Sequence, residues 1–151
     1  MLITRETDYA LRILRALEDG EKKSIEEICR KEATPKQFMY RIVKKLEKMG
    51  WVSIFHGAKG GCCLVVDLET VNLYELMEGM NADKIVSECL IPGYECNRKE
   101  ICEDICYIHI GFANIQKRID EELKSYTIRR LILGKEREKV ESKNYKQGVL
   151  L

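Results

Sequence analysis

The first fifty residues repeat apolar positions at intervals of three and four, with charged residues between them. In residues 4–19 this pattern places Ile13, Leu14 and Leu17 on one side, and Gly20 follows. Such spacing is typical of an amphipathic helix that packs one face against a core and ends near a glycine. The pattern therefore predicts a first helix over residues 4–19.

Two further helices are predicted from their capping sequences. Ser24 precedes Glu27 by three positions, which is the pattern of a capping box at the start of a short second helix. Thr34 is expected to cap a third helix, with Pro35 at its first helical position and Gln37 reaching back as the box partner. These signals predict a helix-turn-helix arrangement.

The third helix is predicted to have one apolar and one basic face. Its buried positions are expected to be Met39, Ile42, Val43, Leu46 and Met49, with Gly50 ending the helix. The opposite face carries Lys36, Gln37, Tyr40, Arg41, Lys44, Lys45 and Lys48. Residues 34–60 hold six Lys or Arg against one Glu, and phosphate binding needs such an excess of positive charge.

Two short β-rich runs, WVSIF and CCLVVD, flank the sequence HGAKGG and predict a two-stranded hairpin with a glycine-rich tip. A hairpin after a helix-turn-helix is the order of elements in a winged helix, whose third helix enters the major groove. Gly57, Gly60 and Gly61 are expected to let this wing approach the DNA backbone or minor groove. A lysine-rich helix alone is more often merely solvated, but the caps and the hairpin favour DNA binding. The predicted DNA-contacting residues are Lys36, Gln37, Tyr40, Arg41, Lys44, His56 and Lys59.

A further short helix is predicted from Asn72 and Glu75, and the C-terminal third then carries apolar residues at a mean spacing of about 3.5. These residues are Ile101, Ile105, Ile108, Phe112, Ile115, Ile119, Leu123 and Tyr126. The period is that of a coiled-coil seam, for which a second copy of the chain is the expected partner. The predicted fold is mostly α: a winged helix-turn-helix domain with a small two-stranded wing over residues 1–80, a cysteine-rich segment over 81–107, a long dimerisation helix over 108–134 and a disordered tail over 135–151.

The nearly neutral total charge of +1 conceals segments of opposite sign. Residues 1–60 carry a net charge of +4, residues 61–110 carry −7 and residues 111–151 carry +4. The front is therefore basic, while the middle is acidic. The chain has no apolar run long enough to span a membrane and no signal-peptide pattern at its N-terminus, so we expect a cytoplasmic protein whose thiols stay reduced.

Four of the seven cysteines fall within the acidic segment and are the candidate metal ligands: Cys89, Cys96, Cys102 and Cys106. Both iron–sulfur clusters and zinc accept thiolates at such intervals. The paired CxxC spacing of structural zinc sites is absent, which favours iron. His109, three residues beyond Cys106, fits equally well as a ligand or as a polar residue of a mostly buried helix.

Catalysis is not expected. No Walker loop, dinucleotide fingerprint or nucleophile–base pair is present. A thiol oxidoreductase using Cys102 and Cys106 is disfavoured, because the surrounding carboxylates raise thiol pKa and the strand–helix pattern of thioredoxins is missing. A zinc-stabilised structural or protein-interaction module stays open as the alternative to a DNA regulator.

The motifs TDYALRIL in the first helix, GWVSIFHGAKGG in the wing and CYIHIGF at the entry to the last helix, together with the cysteine segment, resemble the Rrf-type-two winged-helix repressors, the family of IscR-like and NsrR-like iron–sulfur regulators. The resemblance covers about residues 1–132. It implies a homodimer that binds a double-stranded DNA operator and a 2Fe–2S or 4Fe–4S cluster, whose loss or nitrosylation changes DNA affinity.

The resemblance also implies a ligand set. Cys89 matches the first cluster ligand, Cys96 most nearly the second and Cys106 the third, while Asp8 matches the acidic fourth ligand that the other subunit donates. Cys102 departs from the family pattern, and it could replace either neighbour or complete an all-thiolate site. The wing departs too, since family members commonly carry arginine where this chain has His56. The chain is thus expected to be a regulator that senses iron–sulfur status, nitric oxide or redox state.

Overall fold

The computed structural model describes residues 2–100 and 105–134. Within them six α-helices and two strands follow one another: α1 (Arg5–Ala16), α2 (Ile25–Glu32), α3 (Lys36–Lys48), β1 (Val52–Phe55), β2 (Gly61–Leu64), α4 (Leu73–Gly79), α5 (Tyr107–Ser125) and α6 (Ile128–Leu133). This mostly helical architecture with a two-stranded sheet confirms the predicted fold class. Ile101, Cys102 and the tail over residues 135–151 lie outside the described residues.

The capping boxes predicted from local sequence are present. At the start of α2, the Ser24 hydroxyl accepts the Glu27 N–H at 3.2 Å and the Glu27 carboxylate accepts the Ser24 N–H at 2.7 Å. The same exchange joins Asn72 and Glu75 in front of α4. Each box satisfies backbone donors that have no partner inside the helix, and so it fixes where the helix begins.

The predicted start of α3 is wrong. Pro35 occupies the cap position itself, no side chain caps the helix, and the buried Thr34 hydroxyl has no hydrogen-bond partner. The reason lies in the preceding turn: Ala33 is in the left-handed conformation, and the Thr34 N–H donates to the Cys29 carbonyl at 3.2 Å. Thr34 therefore closes α2 instead of opening α3.

The buried core includes residues of α1, α2 and α3 together with residues of α4 and α6, and it supports one face of α3. Four of the five apolar positions predicted for α3 are buried, namely Met39, Ile42, Val43 and Leu46, whereas Met49 is half-buried. From α1, Ile13 and Leu14 are fully buried in the same cluster. Burial of one face of α3 leaves the basic face directed outward.

The wing is an antiparallel hairpin in which Val52 pairs with Leu64 and Phe55 with Gly61. Cys62 is buried and Cys63 is partly exposed, as expected for neighbours on a strand. Burial, with a smaller effect of Cys63, raises the pKa of the Cys62 thiol to about 11. Cys62 is therefore a protonated core residue at neutral pH.

The helix predicted over residues 108–134 is two helices in the structure. Tyr126 is extended, its carbonyl accepts the Leu73 N–H at 3.0 Å, and the Ile128 N–H donates to the Val71 carbonyl at 2.9 Å. Thr127 then caps α6, which packs against α1. Pairing with a distant segment thus breaks the helix at a position where the local apolar spacing continues.

The break shortens the seam that was predicted along this helix. Leu123 is buried within its own chain, and Ile119 is half-buried against the core. Among the described seam residues, Ile105, Ile108, Phe112 and Ile115 are exposed. An apolar face therefore remains on the N-terminal half of α5 and the residues before it.

Candidate nucleic-acid interface and cysteine pocket

The outward face of α3 carries the residues predicted to contact DNA. Lys36, Gln37, Tyr40, Arg41 and Lys44 are all exposed. The Lys36 ammonium pairs with the Glu26 carboxylate of α2, and this hydrogen bond is the main reason why the pKa of Lys36 is raised. The same ammonium lies 6.0 Å from the centroid of the Tyr40 ring. These five exposed side chains form one face that is able to meet a groove of DNA, although Lys36 is paired with Glu26.

Lys45 differs from its neighbours on the predicted basic face. Its ammonium donates to the Glu6 carboxylate at 2.5 Å and to the Met80 carbonyl at 3.1 Å. Glu6 also pairs with Arg41 through its other carboxylate oxygen. The side chains of Glu6 and Lys45 are only about a quarter exposed. Lys45 therefore ties α3 to α1 and to the end of α4.

The wing tip presents His56 and Lys59, both exposed. The Lys22 ammonium donates to the Lys59 carbonyl at 2.9 Å and lies 5.5 Å from the centroid of the Phe55 ring. Lys22 thus supports the tip from the loop between α1 and α2, a role that its position in the sequence does not signal.

Two of the wing glycines are needed by the hairpin itself. A Cβ at Gly61 would lie 2.6 Å from the Lys23 carbonyl oxygen, and a Cβ at Gly60 would lie 2.7 Å from that of Phe55. Residue 61 has no room for a side chain because β2 pairs with Lys23 through the adjacent Cys62. The prediction that these glycines serve DNA approach missed this internal packing requirement.

A cleft of about 620 Å³ separates the wing from α2 and α3. Tyr40, Lys44 and His56 line it, so the fold brings three of the predicted contact residues to one opening. Glu26 and Glu47 line it as well. The cleft therefore joins the exposed face of α3 to the wing in one surface that carries both positive and negative side chains.

A second pocket, of about 610 Å³, collects the described cysteines of the acidic segment. Cys89, Cys96 and Cys106 line it together with His109. The remaining lining residues are Ser87, Tyr94, Arg98, Ile105, Ile108, Ile110 and Phe112. The three thiols are half-buried and form no disulfide. Ile105, Ile108 and Phe112 of this lining also belong to the exposed apolar face on α5 and the residues before it.

Residues 3–133 match the sequence model of the Rrf2 family, which is described as an iron-dependent transcriptional regulator. The chain belongs to the Rrf2 family. It is 28% identical over 141 residues to the HTH-type transcriptional regulator NsrR of Bacillus subtilis strain 168, with 90% of this chain and 93% of the relative covered. This Rrf2 chain is accordingly a DNA-binding transcriptional regulator and not an enzyme.

Solved structures share the Rrf2 fold. CymR, the global cysteine regulator of B. subtilis, aligns with a TM-score of 0.64 at 19% identity and covers 90% of this chain and 99% of its own. IscR of T. potens aligns with a TM-score of 0.60 at 17% identity, with coverages of 87% and 86%. Within the described residues, no helix is both long and apolar enough to cross a membrane.

Some of the predicted metal ligands of this Rrf2 protein line the cysteine pocket, and others do not. Cys89, Cys96, Cys106 and His109 share the pocket, but in the part of the chain that the structure describes no three His, Cys, Asp or Glu side chains are arranged to hold a metal ion. Asp8 does not line the pocket of its own chain, and it pairs with Arg12 at 3.0 Å on α1. Cys102 lies outside the described residues.

Gln116, which the sequence did not single out, attaches the cysteine segment of the Rrf2 chain to α5. Its amide oxygen accepts the Val86 N–H at 2.9 Å, and its amide nitrogen donates to the Lys84 carbonyl at 3.0 Å and to Asp120 at 2.8 Å. The Lys84 ammonium in turn lies 4.5 Å from the centroid of the Tyr74 ring. One side chain thus fixes the backbone three residues before Cys89.

Proposed function

We propose that this Rrf2 regulator is a homodimeric repressor that senses iron–sulfur status, nitric oxide or redox state through an iron–sulfur cluster. The observation that carries the proposal is the pocket in which Cys89, Cys96 and Cys106 meet His109. Cys102 is a further candidate ligand. The resemblance of the sequence to IscR-like and NsrR-like repressors supports the same assignment.

The donor set fits a cluster in its chemistry. Three thiols without disulfides, with an imidazole beside them, are ligands that iron accepts in clusters of either the 2Fe–2S or the 4Fe–4S type. Because the described thiols are not arranged as a metal-binding group, cluster binding requires the segment to bring them closer together. When bound, the cluster would supply iron that reacts with nitric oxide or oxidants.

A second copy of the chain is the proposed occupant of the exposed apolar face on α5. The exposed fractions are 67% for Ile108, 36% for Phe112 and 50% for Ile115, and Ile105 extends the face at 67%. A contiguous apolar surface of this kind is typical of an interface. Because Ile105, Ile108 and Phe112 also line the cysteine pocket, a second copy on this face could supply Asp8 as the fourth ligand, in competition with His109.

The proposed reading mode uses the two surfaces that meet at the cleft. In each subunit α3 would enter the major groove, with Gln37, Tyr40 and Arg41 at base edges and Lys36 and Lys44 on phosphates. The wing would place His56 and Lys59 on the flanking backbone. A two-fold dimer would then read half-sites about 34 Å apart.

Coupling between the pocket and DNA would run through the segment that Gln116 attaches to α5. The part of the chain around the cysteines is strongly acidic, and its release near a basic reading surface would oppose phosphate binding. An allosteric coupling of about 1–3 kcal/mol would change DNA affinity roughly 5- to 150-fold.

Anaerobic purification followed by an absorption spectrum and by iron, sulfide and zinc analysis tests the cluster. The proposal predicts a coloured protein with iron and sulfide, whose spectrum changes on addition of nitric oxide. Cys89→Ser should abolish the colour, whereas Cys63→Ser, at a half-buried thiol of the wing outside the pocket, should retain it. A colourless protein with stoichiometric zinc would instead favour a metal that only stabilises the segment.

A further inference from the structure

We infer that Glu6 is a positioning residue for DNA reading: it orients Arg41 on the recognition face and withholds Lys45 from phosphate. This inference rests on the proposed use of α3 as the reading helix. It assigns a function in base discrimination to a carboxylate that belongs to α1 and that carries the charge opposite to the one DNA binding needs.

The contacts of Glu6 divide between its two carboxylate oxygens. One oxygen pairs with the Arg41 guanidinium, and the other accepts from the Lys45 ammonium at 2.5 Å. Glu6 is only 27% exposed, and the hydrogen bond from Lys45, with the charges of Lys45 and Arg41, lowers the pKa of Glu6 despite its partial burial. The carboxylate is thus ionised at neutral pH and holds two cations of α3.

The two cations are held in different environments. Lys45 is 25% exposed and has a second acceptor in the Met80 carbonyl, so its charge is used within the protein. Arg41 is 61% exposed and is the one arginine of α3, so its side chain stays accessible from outside the protein. Glu6 therefore neutralises charge on both residues but leaves only Arg41 able to reach a ligand.

An anchored arginine has a different use from a free one. The guanidinium is a rigid fork with five N–H donors, and a carboxylate on one nitrogen leaves the other donors in a fixed direction. Such a fork suits bidentate contact with guanine O6 and N7, the commonest specific contact in the major groove. A free arginine would instead follow the nearest phosphate, which carries no sequence information.

Glu6→Gln removes the carboxylate charge while keeping its shape, and this variant tests the inference. Binding would be measured on two duplexes: one selected from random DNA by the wild-type protein, and a scrambled duplex of the same composition. We expect Glu6→Gln to bind the scrambled duplex more tightly at low salt. The ratio of selected to scrambled affinity should fall.

The salt dependence provides a second readout. If the released Lys45 binds one additional phosphate in each subunit, the slope of log affinity against log salt steepens by about 0.9 per subunit. Between about 50 and 200 mM salt, that slope corresponds to an extra loss of affinity of roughly 3-fold per subunit. A role limited to joining α1 and α3 would change the melting temperature and leave this slope unchanged.

Glu18→Gln is the matched control. Glu18 is exposed and lies beyond the opposite end of α1, roughly 15 Å or more from Glu6 along the helix axis. It forms none of the described ion pairs with α3. The same loss of one negative charge there should leave both the slope and the affinity ratio close to wild type.

Arg41 variants separate this inference from the proposed function. Arg41→Lys keeps the charge without the fork and should lower the affinity ratio with the fold intact. In an Arg41→Gln background, Glu6→Gln should have no further effect on the ratio. If Arg41→Gln weakens DNA binding but Glu6→Gln changes neither the salt slope nor the affinity ratio, the role inferred for Glu6 is wrong while α3 can still be the reading helix. If Arg41→Gln leaves DNA binding unchanged, both the role of Glu6 and the proposed reading face of α3 are wrong.

Discussion

Replacement of Gln116 by leucine would test how firmly the cysteine segment is attached to α5. The change removes the amide that accepts the Val86 N–H and donates to the Lys84 carbonyl, while a side chain of similar size remains. Each such hydrogen bond contributes about 0.5–1.5 kcal/mol. Water reaches the exposed Val86 and replaces part of this, so we expect local opening to become easier by about 1–2 kcal/mol.

Hydrogen exchange at the Val86 amide measures this opening directly. A change of about 1–2 kcal/mol corresponds to exchange that is roughly 5- to 30-fold faster. Asn114→Leu, at an exposed position of the same helix, is the control and should leave Val86 unchanged. Equal exchange rates in Gln116→Leu and the wild type would refute the assignment of Gln116 as the attachment of the segment, whatever the effect on global stability.

Three further predictions concern the interface, the wing thiols and the wing strand. Ile115→Glu places a charge on the exposed apolar face of α5, so sedimentation should show a folded monomer; a persistent dimer would contradict the proposed interface. Cys63 should react with iodoacetamide well before the buried Cys62. Because the pKa of Cys62 is raised to about 11 in the folded protein, the stability that its neutral thiol contributes should be complete below about pH 9 and be lost as the pH rises toward 11. Equal labelling of the two thiols would refute the packing of the wing. Gly61→Ala introduces a Cβ 2.6 Å from the Lys23 carbonyl oxygen and should lower the melting temperature by several degrees, whereas an unchanged temperature would show that the strand can move away.

Features encoded by neighbouring residues could be predicted from the sequence. The capping box of Ser24 and Glu27 needs only a spacing of three residues, and it forms as expected. The buried face of α3 follows equally from its helical period, since four of its predicted apolar positions are in the core. The order of these elements, three helices followed by a glycine-rich hairpin, was likewise enough to predict a winged helix.

Features that depend on distant residues could not be predicted. The sequence predicts Thr34 as the cap of α3, but its N–H donates to the Cys29 carbonyl at the end of α2. The helix break at Tyr126 exists because a segment more than fifty residues earlier pairs with it. The hydrogen bond that Lys45 donates to Glu6 spans 39 positions and leaves no periodic signal in the sequence. The cysteines themselves were visible in the sequence, but their common pocket depends on how the segment folds back onto α5.

The central claim is that iron held in the cysteine pocket controls DNA binding. Its most direct test is a DNA titration of one anaerobic preparation, divided into a portion with its iron intact and a portion freed of iron by a chelator, on the duplex selected by the wild-type protein. We predict affinities that differ by at least about 5-fold between the two portions. Equal affinities, with iron content confirmed in the first portion, would contradict the claim.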